Sequence, residues 1–410
     1  MILYLKKQSK MKLNQISVRN ILTLRYDITT EKPARKLATA QDFKRSFNDE
    51  GGHITEKLLN ASFKEIKKFD KFSISLSGGI DSSLCLALLR KNFPKAKIIA
   101  FSGIFENAFD ESTYAKKLAK KFDADFYPIS MESIYTKMPE IVYIANEPRW
   151  NTYNHLIAKQ AKKFSKILVT GDGGDELFGG YVFRYKKFLE LIKPNDNWKT
   201  KTIKYLECHN RDWVPDQKFL FDKGIKFDWD EIYNYFRPYF KNQLEPLKQV
   251  MLADFNGKLL HDFITTGNDI SSYYNIDRFS PFLDNEVQSF GLSLSTKSKY
   301  NHATNQGKIV LRQISKRLKV KHIKTKHGFS PSLIFDWQKF GKDIFMKYAF
   351  ERKSNIYTKK IINRDWVIHA LDLIENDGDI RHLNRITSIL ALEIWYRVFI
   401  KKDLSYKKSL

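Results

Sequence analysis

The sequence has few cysteines and no long hydrophobic run, and these two features restrict the classes of protein to which the chain can belong. Its 410 residues include two cysteines, Cys85 and Cys208, and neither has a metal-ligand partner at short spacing. This usage fits a reducing cytosol and argues against a disulfide scaffold or a zinc site. No window approaches the roughly 18 apolar residues that span a bilayer. The short apolar N-terminus is no secretory signal, so a cytoplasmic location is expected.

Acidic residues are also scarce relative to basic ones. There are 71 lysines and arginines against 46 aspartates and glutamates, which gives a formal net charge of +25. A basic protein attracts anions such as nucleotides, RNA or acidic lipid surfaces. The lysines are spread along the chain and are densest at 315–329, so most are expected on solvated helix faces. The charge leaves RNA binding open without arguing strongly for it.

The hydrophobic pattern divides the chain into three parts. Residues 1–50 are polar and mixed, with weak strand patterns, and are expected to form an extension without a core of its own. Within a domain at 51–410, predicted strands alternate with helices over about 54–185. This alternation indicates an α/β fold with a parallel sheet and flanking helices. From 186 to 410 the strand pattern disappears, and aromatic-rich segments predict a mainly helical half.

A small turn lies between a strand and a helix in SISLSGGIDSSLCLALL, residues 73–89. Its glycines permit a close approach to the backbone. The helix N-terminus offers unpaired N–H groups and the positive end of the helix dipole. The turn therefore suits an anion such as phosphate. A tight strand-to-helix connection capped by Ser or Asp explains the turn alone about equally well.

A second glycine-rich loop, GDGGDELFGGY at 171–181, follows the predicted strand KILVT. Its carboxylates repel one another unless a cation or protons intervene. A Mg²⁺ ion that bridges phosphate oxygens would explain Asp81 and Asp175 together. The alternative is a calcium loop or a solvated turn, but the spacing does not match an EF-hand, and the preceding strand favours a sheet edge. The chain has no Gly-Lys-Ser/Thr triplet, and Glu176 stands where a dinucleotide fingerprint needs glycine.

These blocks resemble known families. LSGGIDSS resembles the pyrophosphate-binding loop (PP-loop) of the N-type ATP pyrophosphatases, which implies an adenine nucleotide α-hydrolase-like fold. GDGGDELFGGY, PFLD at 281–284 and KHGF at 326–329 resemble, in this order, the synthetase domain of the asparagine synthetase family. NEP at 146–148 fits the same family, and the match runs from about residue 54 to the last helix. The first loop is shared with other ATP pyrophosphatases, including tRNA-modifying enzymes, whereas GDGGDELFGGY is far more specific.

The resemblance implies an ATP-dependent ligase that forms a C–N amide bond. In that family a carboxylate attacks the α-phosphorus of ATP, pyrophosphate leaves, and an amine opens the acyl-adenylate. Asp172 is implied in handling the intermediate, and Lys326 is implied as the catalytic lysine, with Lys324 as a competing match. Mg²⁺ is implied at Asp81 and Asp175. The residues implied to bind ATP and pyrophosphate are Leu76, Ser77, Gly78, Gly79, Asp81, Ser82, Gly103, Thr170 and Gly171.

Two departures from the family pattern affect the expected reaction. Members usually carry Arg two residues before the Pro of PFLD, but that position is Phe279 here, with Arg278 beside it. Glutamine-dependent members begin with a catalytic cysteine on a glutaminase domain, and this chain has no cysteine before Cys85. It is therefore not expected to hydrolyse glutamine by that route. Nitrogen would come from free ammonia, a separate glutaminase subunit or an amine on another substrate.

The leading hypothesis is an AMP- and pyrophosphate-forming amide synthase, most simply one that makes asparagine from aspartate. A second hypothesis keeps the adenylation chemistry and changes the acid or the amine, as in an amidotransferase or cyclase. A third is a tRNA-modifying ATP pyrophosphatase, which the positive charge favours and the lack of a recognisable RNA module disfavours. The expected partners are small-molecule substrates and no membrane.

Overall fold

The computed structural model describes residues 14–29, 35–209, 211–323 and 331–410. Lys324, Lys326 and the KHGF segment lie outside these ranges, so the predicted catalytic lysine has no structural description. Within the described residues no helix is both long and apolar enough to cross a membrane.

The first described helix, α1 (Gln15–Leu24), occupies a segment for which the sequence suggested weak strands. That expectation is wrong. Val18 and Leu22 follow helical spacing and are both buried, and the Asn14 side chain caps the helix by accepting from the N–H of Ile16. The buried face of α1 joins an apolar cluster that also contains the long C-terminal helix. Packing against that cluster therefore favours the helix.

The segment between α1 and the domain has no core of its own and is held by side chains of the helical half. Asn256 makes two hydrogen bonds to the backbone of Ala38, one accepted from its N–H and one donated to its C=O, each 2.8 Å long. Lys248 donates to the carbonyl oxygens of Phe43 and Arg45 at 3.0 and 2.9 Å. The Phe43 ring is fully buried in the main core.

Five parallel strands form the central sheet in the order β3-β2-β1-β4-β5. The strands are β1 (Lys71–Ser75), β2 (Lys97–Ile104), β3 (Asp125–Ser130), β4 (Ile167–Val169) and β5 (Asp277–Phe279). The first four confirm the predicted α/β sheet. The expectation that strands end near residue 185 is wrong, because β5 lies far beyond it. Its sequence, Asp277-Arg278-Phe279, has a single apolar residue and lacks the apolar run that marks the equally short β4.

Helices cover both faces of the sheet. The helices of the N-terminal half are α2 (His53–Ser62), α3 (Ile80–Asn92), α4 (Ser112–Lys121), α5 (Met138–Ala145), α6 (His155–Ala161) and α7 (Gly174–Phe178). One face packs Phe72, Val169 and Phe279 into the main core with α2 and α3. The other face packs Phe101 and Leu168 with α6 and with a later helix.

The remaining chain is mainly helical, as predicted. Its helices are α8 (Val182–Leu191), α9 (Trp198–Glu207), α10 (Trp229–Phe240), α11 (Pro246–Asp254), α12 (Ile264–Tyr274), α13 (Asn285–Ser293), α14 (Thr296–Lys299), α15 (Ile309–Arg317), α16 (Leu333–Asp336), α17 (Lys342–Tyr348), α18 (Asn355–Thr358), α19 (Arg364–Asp377) and α20 (Ile380–Trp395). A π-helical stretch, Phe255–Phe263, joins α11 to α12. Two short strands, β6 (Tyr300–Asn301) and β7 (Gln306–Gly307), form a hairpin before α15.

Replacing Asn256 tests whether the N-terminal segment is an integral part of the fold. The change Asn256→Ala leaves the buried N–H and C=O of Ala38 without partners, which is expected to lower the free energy of unfolding by about 2 kcal/mol. Urea unfolding measures this loss, and limited proteolysis should cut near residue 38 sooner. Asn376→Ala, at an exposed asparagine, is the matched control. Equal free energies of unfolding for the two variants would show that the hydrogen bonds between Asn256 and Ala38 do not stabilise the fold.

Candidate active site

The candidate site lies where the central strands end. In a parallel sheet the loops that follow the strands meet at one edge, and ligands bind there. Two such segments, 76–83 after β1 and 170–181 after β4, carry most of the predicted residues, and the loop 105–111 after β2 reaches the first of them through Glu111. A fourth segment, which runs from β7 into α15, reaches the same edge and was not predicted.

The loop after β1 is organised by its own serines. The Ser82 hydroxyl accepts from the N–H of Ser77 at 3.0 Å and lies 2.9 Å from the Ser77 hydroxyl. The N–H of Gly79 donates to the Ser77 hydroxyl at 3.1 Å, and the N–H of Gly78 donates to the Glu111 carboxylate at 2.9 Å. The N-cap residue of α3 is Gly79, which has no side chain to cap the helix. The Ser or Asp cap of the alternative reading is therefore absent from that position, and the Gly78 N–H already attracts a carboxylate.

Asp81 and Asp175, predicted as a metal pair, do converge. The ammonium of Lys308 binds both carboxylates, with Nζ 2.6 Å from Asp175 Oδ1 and in a shorter contact with Asp81 Oδ2. All three side chains are largely buried, and Lys308 is 5% exposed. Burial opposes the charged lysine, but Asp175 and Asp81 outweigh it and raise the pKa of Lys308 above its ordinary value. One cation therefore joins the loops after β1 and β4.

Two glycines make room for this cation. A Cβ at position 180 would overlap the Asp175 carboxylate and lie 2.6 Å from Lys308 Cε, and a Cβ at Gly174 would lie 2.6 Å from Asp81 Oδ1. Lys308 itself has left-handed backbone angles, φ 58° and ψ 38°, which are uncommon for a residue with a side chain. Its N–H donates to the carbonyl of Phe178 at 3.1 Å, which helps to hold that conformation.

The residues present fit a Mg²⁺ ion that arrives with a phosphate ligand. Mg²⁺ is usually held by one or two carboxylates together with substrate phosphates and water. Asp81 and Asp175 supply two hard oxygen ligands at a point that already holds a positive charge. Among the described residues no cluster of three or more acidic, His or Cys side chains could hold a metal without such help. The site therefore resembles a phosphate-dependent cation site more than a closed metal cage.

The other predicted nucleotide residues lie at or just after the ends of the central strands. Leu76 donates its N–H to the carbonyl of Phe101 at 2.8 Å, at the end of β1, and Gly103 lies in the adjacent strand β2. The Thr170 hydroxyl is buried without a hydrogen-bond partner among the described residues. A Cβ on Gly171 would lie 3.0 Å from Ser82 N, so the two loops touch there. Gly171 is thus brought against the loop after β1, while Leu76, Gly103 and Thr170 are placed at the ends of the central strands and Lys326 lies outside the described residues.

Glu176 follows Asp175 and differs from it in environment. It is buried in α7 and accepts a short hydrogen bond from the Tyr181 hydroxyl. Burial, followed by the charge of Asp175, raises the pKa of Glu176. Asp175, which contacts Lys308, is therefore the carboxylate placed to hold a cation, while Glu176 anchors α7 to the following loop.

Lys308 is the functional residue that the sequence reasoning missed. It stands in NQGKIVLRQ, a segment with no phosphate motif, and the densest lysines lie elsewhere, at 315–329. The only signal was a lysine directly after a glycine at the start of an amphipathic helix. Such a pattern is too common to select one residue.

Removing Lys308 should expose its electrostatic role. Lys308→Met leaves two buried carboxylates facing each other, so a loss of about 3–5 kcal/mol in unfolding free energy is expected. The pKa of Lys308 is raised, so its contribution is complete below the unfolded value of about 10.4 and falls only above it. Calorimetry between about pH 7 and 9 should therefore show the full difference.

Millimolar Mg²⁺ should raise the melting temperature of Lys308→Met more than that of the wild type, because a divalent ion can replace the lost charge. Lys186→Met, at an exposed lysine, is the control and should match the wild type. A Lys308→Met protein as stable as this control, with no response to Mg²⁺, would refute the bridging role.

Comparison with known proteins places these features in a family. A sequence model described as asparagine synthase matches residues 53–397. A Bacillus subtilis protein named asparagine synthetase (glutamine-hydrolyzing) 1 is 26% identical over 365 residues, covering 80% of this chain and 56% of the relative. A Mycobacterium bovis protein given an asparagine synthetase name is 24% identical over 387 residues, covering 86% of this chain and 58% of the relative. The chain thus spans between half and two thirds of these relatives.

Among solved structures, an NMN synthetase from Francisella tularensis is similar to 56% of this chain, over 94% of its own length, with 17% identity and a TM-score of 0.27. An NH3-dependent NAD synthetase from Campylobacter jejuni is similar to 53% of this chain, over 96% of its own length, with 15% identity and the same TM-score. The family match, by contrast, covers most of the sequence and all of the described site. The chain belongs to the asparagine synthase family.

Proposed function

We propose that the protein is an ATP-dependent amide synthase that adenylates a carboxylic acid and transfers the acyl group to ammonia or another amine. The simplest acid is aspartate, with asparagine as the product. The observation that carries the proposal is the meeting of Asp81 and Asp175 on the Lys308 ammonium, directly beside a serine- and glycine-lined helix N-terminus. Donors and a paired cation site at one place suit a polyphosphate.

The chain's residues divide the work of binding ATP between the two glycine-rich loops. The N–H groups of Gly78 and Gly79 would exchange their present acceptors, the Glu111 carboxylate and the Ser77 hydroxyl, for the leaving pyrophosphate, which the start of α3 would also receive. When bound, Mg²⁺ would neutralise charge on the phosphates. Asp81 and Asp175 would hold it, and Lys308 would remain close enough to share the developing negative charge. Leu76, Gly103, Thr170 and Gly171 would contact the nucleoside.

Acyl transfer requires a group that takes a proton from the nitrogen nucleophile. Asp172 follows β4, its side chain is 32% exposed, and it lies on the loop that also carries Asp175. Its carboxylate would accept that proton as the amine attacks the acyl-adenylate. Lys326 remains our proposal for stabilising the oxyanions, on the strength of its family motif alone. Ammonia from solution or from a glutaminase partner would supply the nitrogen.

The proposal predicts acid-dependent exchange of pyrophosphate into ATP. With ATP, Mg²⁺ and aspartate, labelled pyrophosphate should enter ATP, and added ammonium should give amide and AMP in equal amounts. Asp175→Asn is expected to lower the exchange rate by about 100-fold or more, because the leaving group loses its cation site. Asp277→Asn, at an exposed aspartate on the edge strand, is the control.

Two outcomes decide whether aspartate is the acid. Exchange with aspartate supports asparagine synthesis. Exchange only with another carboxylate keeps the amide synthase and replaces its substrate. If no acid in a broad panel supports exchange by a protein that binds ATP, the adenylation proposal fails.

A further inference from the structure

Arg278 and Phe279 occupy adjacent positions in β5 and point to opposite sides of the sheet. Arg278 pairs in register with Leu168, and both side chains therefore share the face that α12 covers. Phe279 faces the main core, where its ring lies 5.4 Å from that of Phe63. An arginine at position 279 would enter that core. Arg278 is therefore not a displaced copy of an arginine at position 279, because it reaches a different place.

A helix passes directly over Arg278, and Gly267 leaves the space that its guanidinium fills. A Cβ at position 267 would overlap Arg278 Nη1 and Cζ and would lie 2.7 Å from Nη2. Gly267 is inside α12, where glycine costs about 1 kcal/mol relative to alanine. Its φ is not in the left-handed region, so backbone geometry does not explain the glycine. The space that the Arg278 guanidinium occupies explains it.

The space that Gly267 leaves in α12 forms a notch, and the guanidinium that crosses this notch contacts Asp172. Arg278 Nη2 donates to Asp172 Oδ2 at 2.5 Å, and the Arg278 side chain is 15% exposed. The Ser280 hydroxyl donates to the backbone carbonyl of Asp172 at 2.7 Å. The side chain and the backbone of Asp172 are thus each fixed to β5 or to the residue that follows it. A residue held through both its side chain and its backbone keeps one orientation before any substrate arrives.

We propose that Arg278, seated in the notch at Gly267, is the positioning residue that orients the Asp172 carboxylate for acyl transfer. The inference rests on the proposed function, in which Asp172 takes the proton of the nucleophile. Arg278 binds Oδ2, which leaves Oδ1 to meet the amine. A planar guanidinium suits this role better than an ammonium, because its donors have fixed directions.

The first test is a double-mutant cycle in amide formation. Asp172→Asn and Arg278→Gln are each expected to lower kcat by about 100-fold, with the KM for ATP little changed, since neither side chain is assigned to the phosphates or to the Mg²⁺ ion. The double variant should be no slower than the slower single variant, because both changes disable one unit. Multiplied losses in the double variant would overturn the proposal.

Gly267→Ala tests the same contact without removing a charge. The added methyl must displace the guanidinium, while the helix itself should be stabilised, so this variant is expected to fold and yet lose at least about 10-fold in kcat. Gly291→Ala in α13 is the matched control, because its Cβ would lie 3.4 Å from Leu177, an ordinary contact. Equal kcat values for the two alanine variants would refute the claim that the space at Gly267 lets Arg278 position Asp172.

Two further measurements separate this inference from the proposed function. Added guanidinium should restore part of the activity of Arg278→Ala and none to Asp172→Asn. The same double-mutant cycle of Asp172 and Arg278 can be measured by thermal unfolding, which needs no substrate. A wild type that forms no amide would defeat the proposed function, while non-additive melting temperatures would still support the ion pair. Additive melting temperatures and no guanidinium rescue would overturn the positioning role.

Discussion

One buried ammonium sets the geometry of the candidate site. Lys308 draws the Asp81 and Asp175 carboxylates to a single point, although these residues belong to loops that follow different strands. Two carboxylates this close and this buried would otherwise repel each other or take up protons. The lysine therefore stabilises the fold and, at the same point, prepares a place for the cation that accompanies a nucleotide. Stability and proposed chemistry depend on the same charge.

Glycine is the second constraint, and it acts by leaving space. Gly174 and Gly180 leave room around the Lys308 cluster, and Gly267 leaves room for the arginine that orients Asp172. In each case the missing side chain lets a charged group approach the backbone, at a modest cost in conformational entropy. The proposed phosphate half and the proposed acyl-transfer half of the site are thus built in the same way, from opposite charges packed against glycine.

The sequence predicts much of this arrangement and misses parts for physical reasons. The four strands with clear apolar runs are found, as is the meeting of Asp81 with Asp175, because parallel strands present their following loops at one edge. Strand β5 is missed because Asp-Arg-Phe has no apolar run, unlike the equally short β4, and α1 is misread because packing against a distant helix decides its form. Lys308 and Gly267 act through contacts across long stretches of chain, which no local pattern reveals.

The central claim is that a carboxylate oxygen attacks the α-phosphorus of ATP, and transfer of an oxygen isotope tests it most directly. The acid that supports pyrophosphate exchange is labelled with ¹⁸O in its carboxylate and incubated with ATP, Mg²⁺ and ammonium. Mass spectrometry of the products should find one ¹⁸O in each AMP and none in pyrophosphate, because the bond that forms leaves that oxygen on the adenylate. Unlabelled AMP, or ADP with labelled phosphate, would contradict adenylation.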